Sequence, residues 1–261
     1  MQFIKERFHV NRVEQRVWSL RQNSERCPLI MLHEGLGCLE LWRDFPVLLA
    51  QRTKRDVFLF ERFGHGQSGV LSGKADGTYL LKEAYDALPE MMKIMGIKRA
   101  VFFGHSDGGS IALLFAAAFP KQSAGIISLA AHVFSDPTGL VGIKNAINKF
   151  EQGNLREKML RFHGAGTDGV FWRWARTWTN PDFIQWSIAD KLSQITCPVL
   201  AMQGEHDEYG EAKQIETIAA TVSGPAEGCI IPDCGHAPHL EVPEFVLQKT
   251  CELIKKTTAT N

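Results

Sequence analysis

The amino-acid sequence predicts an α/β fold in which a mostly parallel, eight-stranded sheet is flanked by helices. Short apolar, β-rich runs alternate with segments of helical periodicity along most of the 261 residues. This alternation is typical of a parallel sheet with right-handed helical crossovers. The later apolar runs lack polar alternation, as expected for strands that are buried on both faces. One segment, residues 136–196, has helical patterns only, which predicts a helical cap inserted between the sixth and seventh strands.

The first two strands are expected to form an antiparallel hairpin at one edge of the sheet, because both alternate in polarity and a polar connection joins them. The eight predicted strands are Phe3–Val10, Gln15–Gln22, Leu29–His33, Val57–Glu61, Ala100–Gly104, Gly125–Ala130, Val199–Gly204 and Gly228–Pro232. The predicted helices of the same unit are Leu41–Arg52, Tyr79–Met95, Gly109–Phe119, Glu211–Thr221 and Glu244–Lys256. The loops at the carboxyl ends of the parallel strands are expected to carry the functional site.

The chain is therefore predicted to consist of a core domain, residues 1–135 and 197–261, and a cap subdomain, residues 136–196. The cap is rich in large aromatic side chains and has helical patterns at Lys144–Phe150, Leu155–Phe162 and Val170–Trp178. Such rings either form the cap's own core or cover a substrate pocket. We expect at least one of four cap tryptophans to line the pocket: Trp172, Trp174, Trp178 and Trp186.

The composition favours a globular protein that acts on a small molecule. The chain has 29 basic and 29 acidic residues, so neither a nucleic acid nor a membrane surface is an expected partner. No apolar run approaches the length of a membrane span. The six cysteines lack the spacing of a zinc site or a disulfide framework, which predicts reduced thiols, no bound metal and a cytoplasmic location. A monomer or a homodimer is expected.

The strongest functional signal is a serine between a β-rich run and an alanine-rich helix, in the sequence Gly104-His105-Ser106-Asp107-Gly108. This context is that of a nucleophile elbow, a strained turn that exposes the serine Oγ above the sheet. Small residues two positions before and after the serine let the strand and the helix pass closely. The alternative is a Gly-rich turn with an incidental serine. A candidate base and a candidate acid elsewhere in the chain are needed to choose between the two interpretations.

Candidates for both follow the ends of later strands. His236 comes after an apolar strand and Gly235, and it is the expected base, whereas His239 is the alternative and a candidate pocket residue. Asp207 follows another apolar strand and is the expected acid, with Glu205 and Glu208 as alternatives. The chain order serine, acid, histidine is that of one known arrangement of the catalytic triad.

The donors of an oxyanion hole are expected from two loops. The backbone N–H of Asp107 lies at a helix start and is one candidate. The second is Gly35 or its neighbour Leu36, in a loop that follows a buried strand. Glu34 in this loop and His105 beside the serine are further candidates for the pocket.

These motifs resemble those of the α/β-hydrolase superfamily. The resemblance rests on the serine elbow, the loop His33-Glu34-Gly35-Leu36-Gly37, Asp207, His236 and the loop from Phe63 to Ser68, and it covers essentially the whole chain. It implies a Ser106–His236–Asp207 triad, and the chain is most similar to cap-bearing carboxylesterases, enol-lactonases and carbon–carbon bond hydrolases. One departure is that the common His-Gly pattern is His33-Glu34 here.

The expected function is that of a serine hydrolase for a small, hydrophobic ester, lactone or related carbonyl compound, which acts through an acyl-enzyme and without a cofactor. Carbon–carbon bond hydrolysis and cofactor-free perhydrolysis are alternatives that use the same triad. A non-catalytic ligand-binding protein on the same fold is the alternative from a different class, since fold alone does not determine function.

Overall fold

The computed structural model describes residues 1–70 and 77–258, and in this part of the chain eight strands form one sheet. The strands are β1 Ile4–Val10, β2 Val13–Leu20, β3 Leu29–Leu32, β4 Val57–Phe60, β5 Ala100–His105, β6 Ser123–Leu129, β7 Val199–Gly204 and β8 Ala226–Ile231. Their order in the sheet is β1-β2-β4-β3-β5-β6-β7-β8. Strand β2 pairs antiparallel with β1 and β4, and every other pairing is parallel. The predicted fold class is confirmed.

The predicted hairpin forms the edge of this sheet. Its turn residues, Asn11 and Arg12, both have positive φ values, 49° and 66°. Two successive positive φ values match the right-handed twist of the flanking strands in a two-residue turn. The pairing of Val10 with Val13 then sets the register of the whole hairpin.

The helices are α1 Phe45–Thr53, α2 Tyr79–Lys82, α3 Leu88–Ile94, α4 Asp107–Ala118, α5 Pro137–Glu151, α6 Leu155–His163, α7 Thr167–Trp178, α8 Lys213–Thr221, α9 Pro238–Glu241 and α10 Pro243–Thr258. A π-helical turn, Glu83–Ala87, joins α2 to α3 within the predicted helix Tyr79–Met95. The first predicted helix begins later than expected, because Arg43 has a φ of 50° and separates a short 3₁₀ turn from α1. No helix within residues 1–70 and 77–258 combines the length and the apolar character that a membrane span requires.

Apolar side chains cover both faces of the sheet. Along β3, Leu29 and Met31 belong to one buried cluster, while Ile30 and Leu32 belong to the other. Successive side chains of a strand point to opposite faces, so the two clusters lie on opposite sides of the sheet. Helices α1 and α10 contribute to the first cluster, and α4 and the cap helices contribute to the second.

The chain between β6 and β7 is helical, as predicted. It contains α5, α6, α7 and three short 3₁₀ turns. Among its described residues, one isolated β-bridge pairs Phe134 with Ser187. This cap segment, residues 136–196, packs its aromatic rings against one another: Phe150 stacks on Phe171 with ring centroids 3.7 Å apart, and Phe183 stacks on Trp186 at 5.2 Å.

Candidate active site

Ser106 sits in a strained turn between β5 and α4. Its φ and ψ are 53° and −120°, a conformation that L-residues rarely adopt and that needs support from the surroundings. The support is close packing around glycines. A Cβ on Gly104 would lie 2.2 Å from the Gly108 carbonyl oxygen, and a Cβ on Gly108 would lie 2.0 Å from that of Leu32. The backbone N–H of Ser106 donates to the Leu129 carbonyl at 2.8 Å, which ties the turn to β6.

His236 and Asp207 meet across the loops that follow β8 and β7. His236 Nδ1 lies 2.7 Å from Asp207 Oδ1, which also accepts the Tyr209 N–H at 2.9 Å. Burial alone would raise the pKa of Asp207, but the His236 ring beside it lowers the pKa below its ordinary value. Burial alone would lower the pKa of His236, and the Asp207 carboxylate raises it above the ordinary 6.5. The carboxylate therefore stabilises the protonated imidazole.

Backbone contacts hold these two loops against each other. The N–H of Glu205 donates to the Ile231 carbonyl at 2.9 Å, and that of His206 donates to the Cys234 carbonyl at 2.8 Å. Gly204 makes this approach feasible, since a Cβ there would lie 2.2 Å from the Cys234 and Gly235 carbonyl oxygens. Glu205 and Glu208, the alternatives for the acid, have exposed side chains.

A cavity of about 100 Å³ brings most of the sequence-predicted site residues together. Its lining comprises Glu34, Gly35, Leu36, Ser106, Asp107, His132, Ser135, Asp136, Gly139, Leu140, Ile143, Trp174, Trp178, Tyr209 and His236. The segments that follow β3, β5, β6, β7 and β8 contribute to it, as do the cap helices α5 and α7. The Ser106 hydroxyl makes no hydrogen bond to any residue of the described ranges, so it faces this cavity without a protein partner.

The loop His33–Gly37, here called the oxyanion loop after the role proposed for it below, is held by its own His33 and by two further buried histidines, His65 and His163. His33 Nδ1 lies 2.8 Å from the Glu34 carbonyl oxygen, His65 Nε2 lies 3.0 Å from that of Gly35, and His163 Nε2 lies 3.0 Å from that of Leu36. Three consecutive carbonyl groups thus each have their own imidazole. His163 belongs to α6, so the cap itself holds the last of them.

The partners of the other ring nitrogens determine how two of these histidines are protonated. The backbone N–H of Arg62 donates to His33 Nε2 at 3.0 Å, and the backbone N–H of Gly66 donates to His163 Nδ1 at 2.9 Å. Each ring must then donate through its other nitrogen to the loop carbonyl, which is the neutral form. Burial agrees with this, since it lowers the pKa of His163 and lowers that of His33 to about 3.

A chain of hydrogen bonds connects the Ser106 turn to the cap. The Asp107 carboxylate accepts the Tyr79 hydroxyl at 2.7 Å and lies 3.2 Å from Arg62 Nη1. The Tyr79 oxygen in turn accepts the indole N–H of Trp178 at 2.9 Å. Arg62 Nη2 donates to the Glu34 carbonyl at 2.5 Å, so one guanidinium contacts both the Ser106 turn and the oxyanion loop.

Four of the sequence-predicted pocket residues lie outside the cavity lining. Trp172 packs on Phe150 and Phe171 within the cap, and Trp186 packs on Phe183 and Trp178. The physical reason is that their rings lie among other aromatic side chains of the cap, whereas Trp174 and Trp178, one turn apart on α7, reach the cavity.

His105 and His239 lie behind the cavity wall instead of in it. His105 Nε2 bonds to the His236 carbonyl at 2.7 Å. The His239 ring lies 4.8 Å from that of Trp42 and 4.7 Å from that of His105, and burial lowers its pKa well below 6.5. A neutral, buried ring among aromatic side chains has a packing role.

Sequence reasoning missed seven of the fifteen lining residues, among them His132, Tyr209 and Asp136. His132 follows β6, bonds to the Tyr209 carbonyl at 2.6 Å and packs on Trp178. The Tyr209 ring lies 4.7 Å from that of His236. Asp136 caps α5 by accepting the Gly139 N–H at 2.7 Å. Their position just beyond the ends of β6 and β7 was the signal that could have found His132 and Tyr209.

Cys38, Glu40 and Glu61 place donor atoms within 4.8 Å of one another, as the ligands of a metal ion would. Arg16 already occupies the space between the two carboxylates. Its Nη2 lies 2.7 Å from Glu40 Oε1, and its Nε lies 2.9 Å from Glu61 Oε2. The guanidinium supplies the positive charge that these carboxylates require.

Comparison with known proteins gives a match to one family model and several similar proteins. The model of the alpha/beta hydrolase family matches residues 29–249. Carboxylesterase YbfK of Bacillus subtilis is 24% identical over 87% of this chain and 79% of its own length. The 1-acylglycerol-3-phosphate O-acyltransferase ABHD5 of Sus scrofa is 26% identical, but that match covers 43% of this chain and only 32% of the acyltransferase.

A solved esterase from Thermogutta terrifontis superposes with a TM-score of 0.73 at 21% identity, and the match covers 98% of this chain and 99% of the esterase. At this identity the likeness concerns the fold. The family match covers most of the sequence, including the serine turn and the loops of Asp207 and His236. This chain therefore belongs to the alpha/beta hydrolase family.

Proposed function

We propose that this protein is a serine hydrolase for small esters, lactones or related carbonyl compounds, with Ser106 as nucleophile, His236 as base and Asp207 as the acid that orients the base. The observation that carries the proposal is the 2.7 Å contact between His236 Nδ1 and Asp207 Oδ1, beside a strained serine on the same cavity. If Ser106 were only an incidental serine in a Gly-rich turn, no histidine–aspartate pair would be expected beside it.

In the proposed reaction, His236 Nε2 takes the proton of Ser106 Oγ while this oxygen bonds to the substrate carbonyl carbon. The carbonyl electron pair moves to its oxygen, and its return expels the leaving alkoxide, which receives the proton from His236. Water then attacks the acyl-enzyme with His236 as base again and releases the acid and Ser106. Asp207 stays ionised throughout and stabilises the imidazolium.

We assign the oxyanion hole to the backbone N–H of Asp107 and to the N–H groups of the oxyanion loop at Gly35 and Leu36. Because the carbonyl and the N–H of a trans peptide point in opposite directions, carbonyls that face the histidines direct these N–H groups away from them. The Glu34 carbonyl shares its peptide unit with the Gly35 N–H, and the Gly35 carbonyl shares its unit with the Leu36 N–H. The 2.8 Å bond of His33 to the Glu34 carbonyl and the 3.0 Å bond of His65 to the Gly35 carbonyl therefore support this orientation. Fixed donors of this kind need no reorganisation when charge develops.

The size and lining of the cavity support a small and largely apolar substrate. Leu36, Leu140, Ile143 and the rings of Trp174 and Trp178 provide apolar surface. A cavity of about 100 Å³ leaves little room beyond a short acyl group. The relative YbfK, named a carboxylesterase, favours ester hydrolysis among the reactions that this triad supports.

A fluorophosphonate probe tests the nucleophile. We expect covalent labelling of the wild-type protein at Ser106, found by mass spectrometry of the digested protein, and no labelling of Ser106→Ala. Ser135→Ala is the matched control, since Ser135 lines the same cavity outside the strained turn, and it should still be labelled. Labelling that persists in Ser106→Ala, or a folded wild-type protein that is not labelled, contradicts the proposal.

A further inference from the structure

Glu34 is an acidic side chain in the wall of an otherwise mostly apolar cavity. Its side chain is 25% exposed, and its Oε2 lies 3.4 Å from His105 Nδ1. His105 is itself nearly inaccessible and donates through Nε2 to the His236 carbonyl at 2.7 Å. The histidine thus lies behind the carboxylate, and the carboxylate is the part of this pair that a bound molecule meets.

The other two carboxylates of the cavity wall accept short hydrogen bonds from protein groups. Asp107 is paired with Arg62 and Tyr79, as described above. The Asp136 carboxylate accepts the amide of Gln214 at 2.6 Å and the Gly139 N–H at 2.7 Å. The Glu34 carboxylate has its own backbone N–H as a donor and the His105 ring beside it, and neither is a lysine or an arginine.

The described part of the wall holds no permanently charged cation. Among the described residues that line the cavity, none is a lysine or an arginine. The Arg62 guanidinium, which contacts the Glu34 carbonyl, is 4% exposed and is also paired with Asp107. A substrate carboxylate would therefore lose water without gaining a cationic partner, and it would face the Glu34 carboxylate in a setting of reduced dielectric.

We propose that Glu34 determines the charge of the substrate: the cavity accepts acyl groups that are neutral or carry a cationic amine, and it rejects acyl groups that end in a carboxylate. This inference rests on the proposed hydrolase function and names the substrate class of that same cavity. It also gives a role to the residue at which this chain departs from the His-Gly pattern of its family.

Three p-nitrophenyl esters of matched acyl length test the inference: the pentanoate, the glutarate monoester and the 4-(trimethylammonio)butyrate. The quaternary ammonium cannot attack its own ester, and spontaneous hydrolysis is measured with Ser106→Ala and subtracted. We expect kcat/KM for the trimethylammonio ester to exceed that for the glutarate monoester at least tenfold, with the pentanoate also hydrolysed. Equal values for the two charged esters overturn the inference, whatever any variant does.

The variant Glu34→Gln keeps the side-chain size and removes the charge. We expect it to reduce the ratio between the two charged esters about tenfold, chiefly through faster hydrolysis of the glutarate monoester. Glu208→Gln is the matched control, because it removes one charge from an exposed side chain next to Asp207 and outside the cavity, and its ratio should equal that of the wild type. An unchanged ratio in folded Glu34→Gln, or the same change in Glu208→Gln, contradicts the proposal.

The outcomes separate this inference from the function on which it rests. If the wild-type protein hydrolyses none of the three esters faster than Ser106→Ala does, the hydrolase proposal fails and the inference fails with it. If the pentanoate is hydrolysed but the charged esters are not distinguished, the hydrolase proposal stands and only the role of Glu34 is refuted. If Glu34→Gln does not fold, as judged by circular dichroism, the wild-type ratio alone decides.

Discussion

The two sides of the cavity are held in place in different ways. On the acid–base side, one side-chain contact of 2.7 Å between Asp207 and His236 and two backbone hydrogen bonds join two loops that follow neighbouring strands. On the opposite side, the oxyanion loop is held by its own His33 and by His65 and His163 from two other parts of the chain. The acid–base side therefore depends on one pair of side chains at strand ends, while the oxyanion loop depends on three histidines, two of them outside the loop.

This difference predicts how each side responds to substitution. Removal of a group that transfers the proton abolishes the reaction, since members of a triad act as a unit. Removal of one of several supports displaces the oxyanion loop and reduces the rate by less. The following predictions test this contrast in order of decreasing effect.

The largest effect is expected at the proposed base. His236→Ala should lower kcat/KM for a p-nitrophenyl ester by roughly four orders of magnitude. His239→Ala should lower it far less, because that ring is buried behind the wall against Trp42 and His105. Steady-state kinetics of the two variants, with folding checked by circular dichroism, measures this, and a larger loss at His239 would refute the assignment.

The pH dependence of the wild-type protein checks the same base. His236 must be neutral to accept the serine proton, so kcat/KM should rise with pH. Since Asp207 raises the pKa of His236 above 6.5, the midpoint of this rise should lie above 6.5. A rate that stays constant between pH 5 and pH 8, with acyl transfer as the slow step, argues against a histidine base.

A smaller effect is expected for the histidine that the cap contributes to the oxyanion loop. His163→Ala leaves the Leu36 carbonyl and the Gly66 N–H without their partner. We expect kcat to fall by about ten- to a hundredfold with little change in KM, because the displaced donors act in the transition state. His163→Gln, which can still donate and accept, should restore part of kcat.

The matched control for that experiment is His206→Ala, because the His206 side chain is exposed and lies on the acid–base side. It should not change kcat. A rise in KM with unchanged kcat in His163→Ala would mean that His163 acts on substrate binding instead of on the oxyanion loop.

The smallest effect concerns stability below neutral pH. Burial lowers the pKa of His33 to about 3 in the folded protein, compared with 6.5 when exposed. Between these values the unfolded chain binds a proton that the folded protein does not, so His33 reduces the free energy of unfolding as pH falls below 6.5, by about 1.4 kcal/mol per pH unit. Above pH 6.5 His33 is neutral in both the folded and the unfolded state, so none of this stability is lost.

Urea unfolding of the wild type and of His33→Asn at pH 7.5, 6 and 5 isolates this contribution. Asparagine can still donate to the Glu34 carbonyl but does not titrate. Between pH 6 and pH 5 the free energy of unfolding should fall less steeply in the variant. The difference between the two slopes measures the proton that His33 takes up when the chain unfolds. Parallel slopes would show that His33 is not held neutral in the folded protein.

The same contrast explains what the sequence could predict. The eight strands, the serine turn, Asp207 and His236 follow from local patterns, since each functional residue stands just beyond a short apolar run. The support of the oxyanion loop could not be predicted, because His163 lies 127 positions from the carbonyl that it holds. The spacing of Trp174 and Trp178 places them on one face of α7, but which face meets the cavity depends on how the cap packs.

The contact between Trp174 and Gly35 has a consequence for the exchange of parts between relatives. A Cβ at position 35 would lie 2.5 Å from Trp174 Cδ1, so the indole rests directly on the glycine. A chimera that receives only a foreign cap would set an unrelated side chain on this glycine and would lose the imidazole of position 163. Residues 33–37, 163 and 174 must therefore be exchanged together. Chimeras that receive all three parts should keep turnover, whereas chimeras that receive only the cap should lose it.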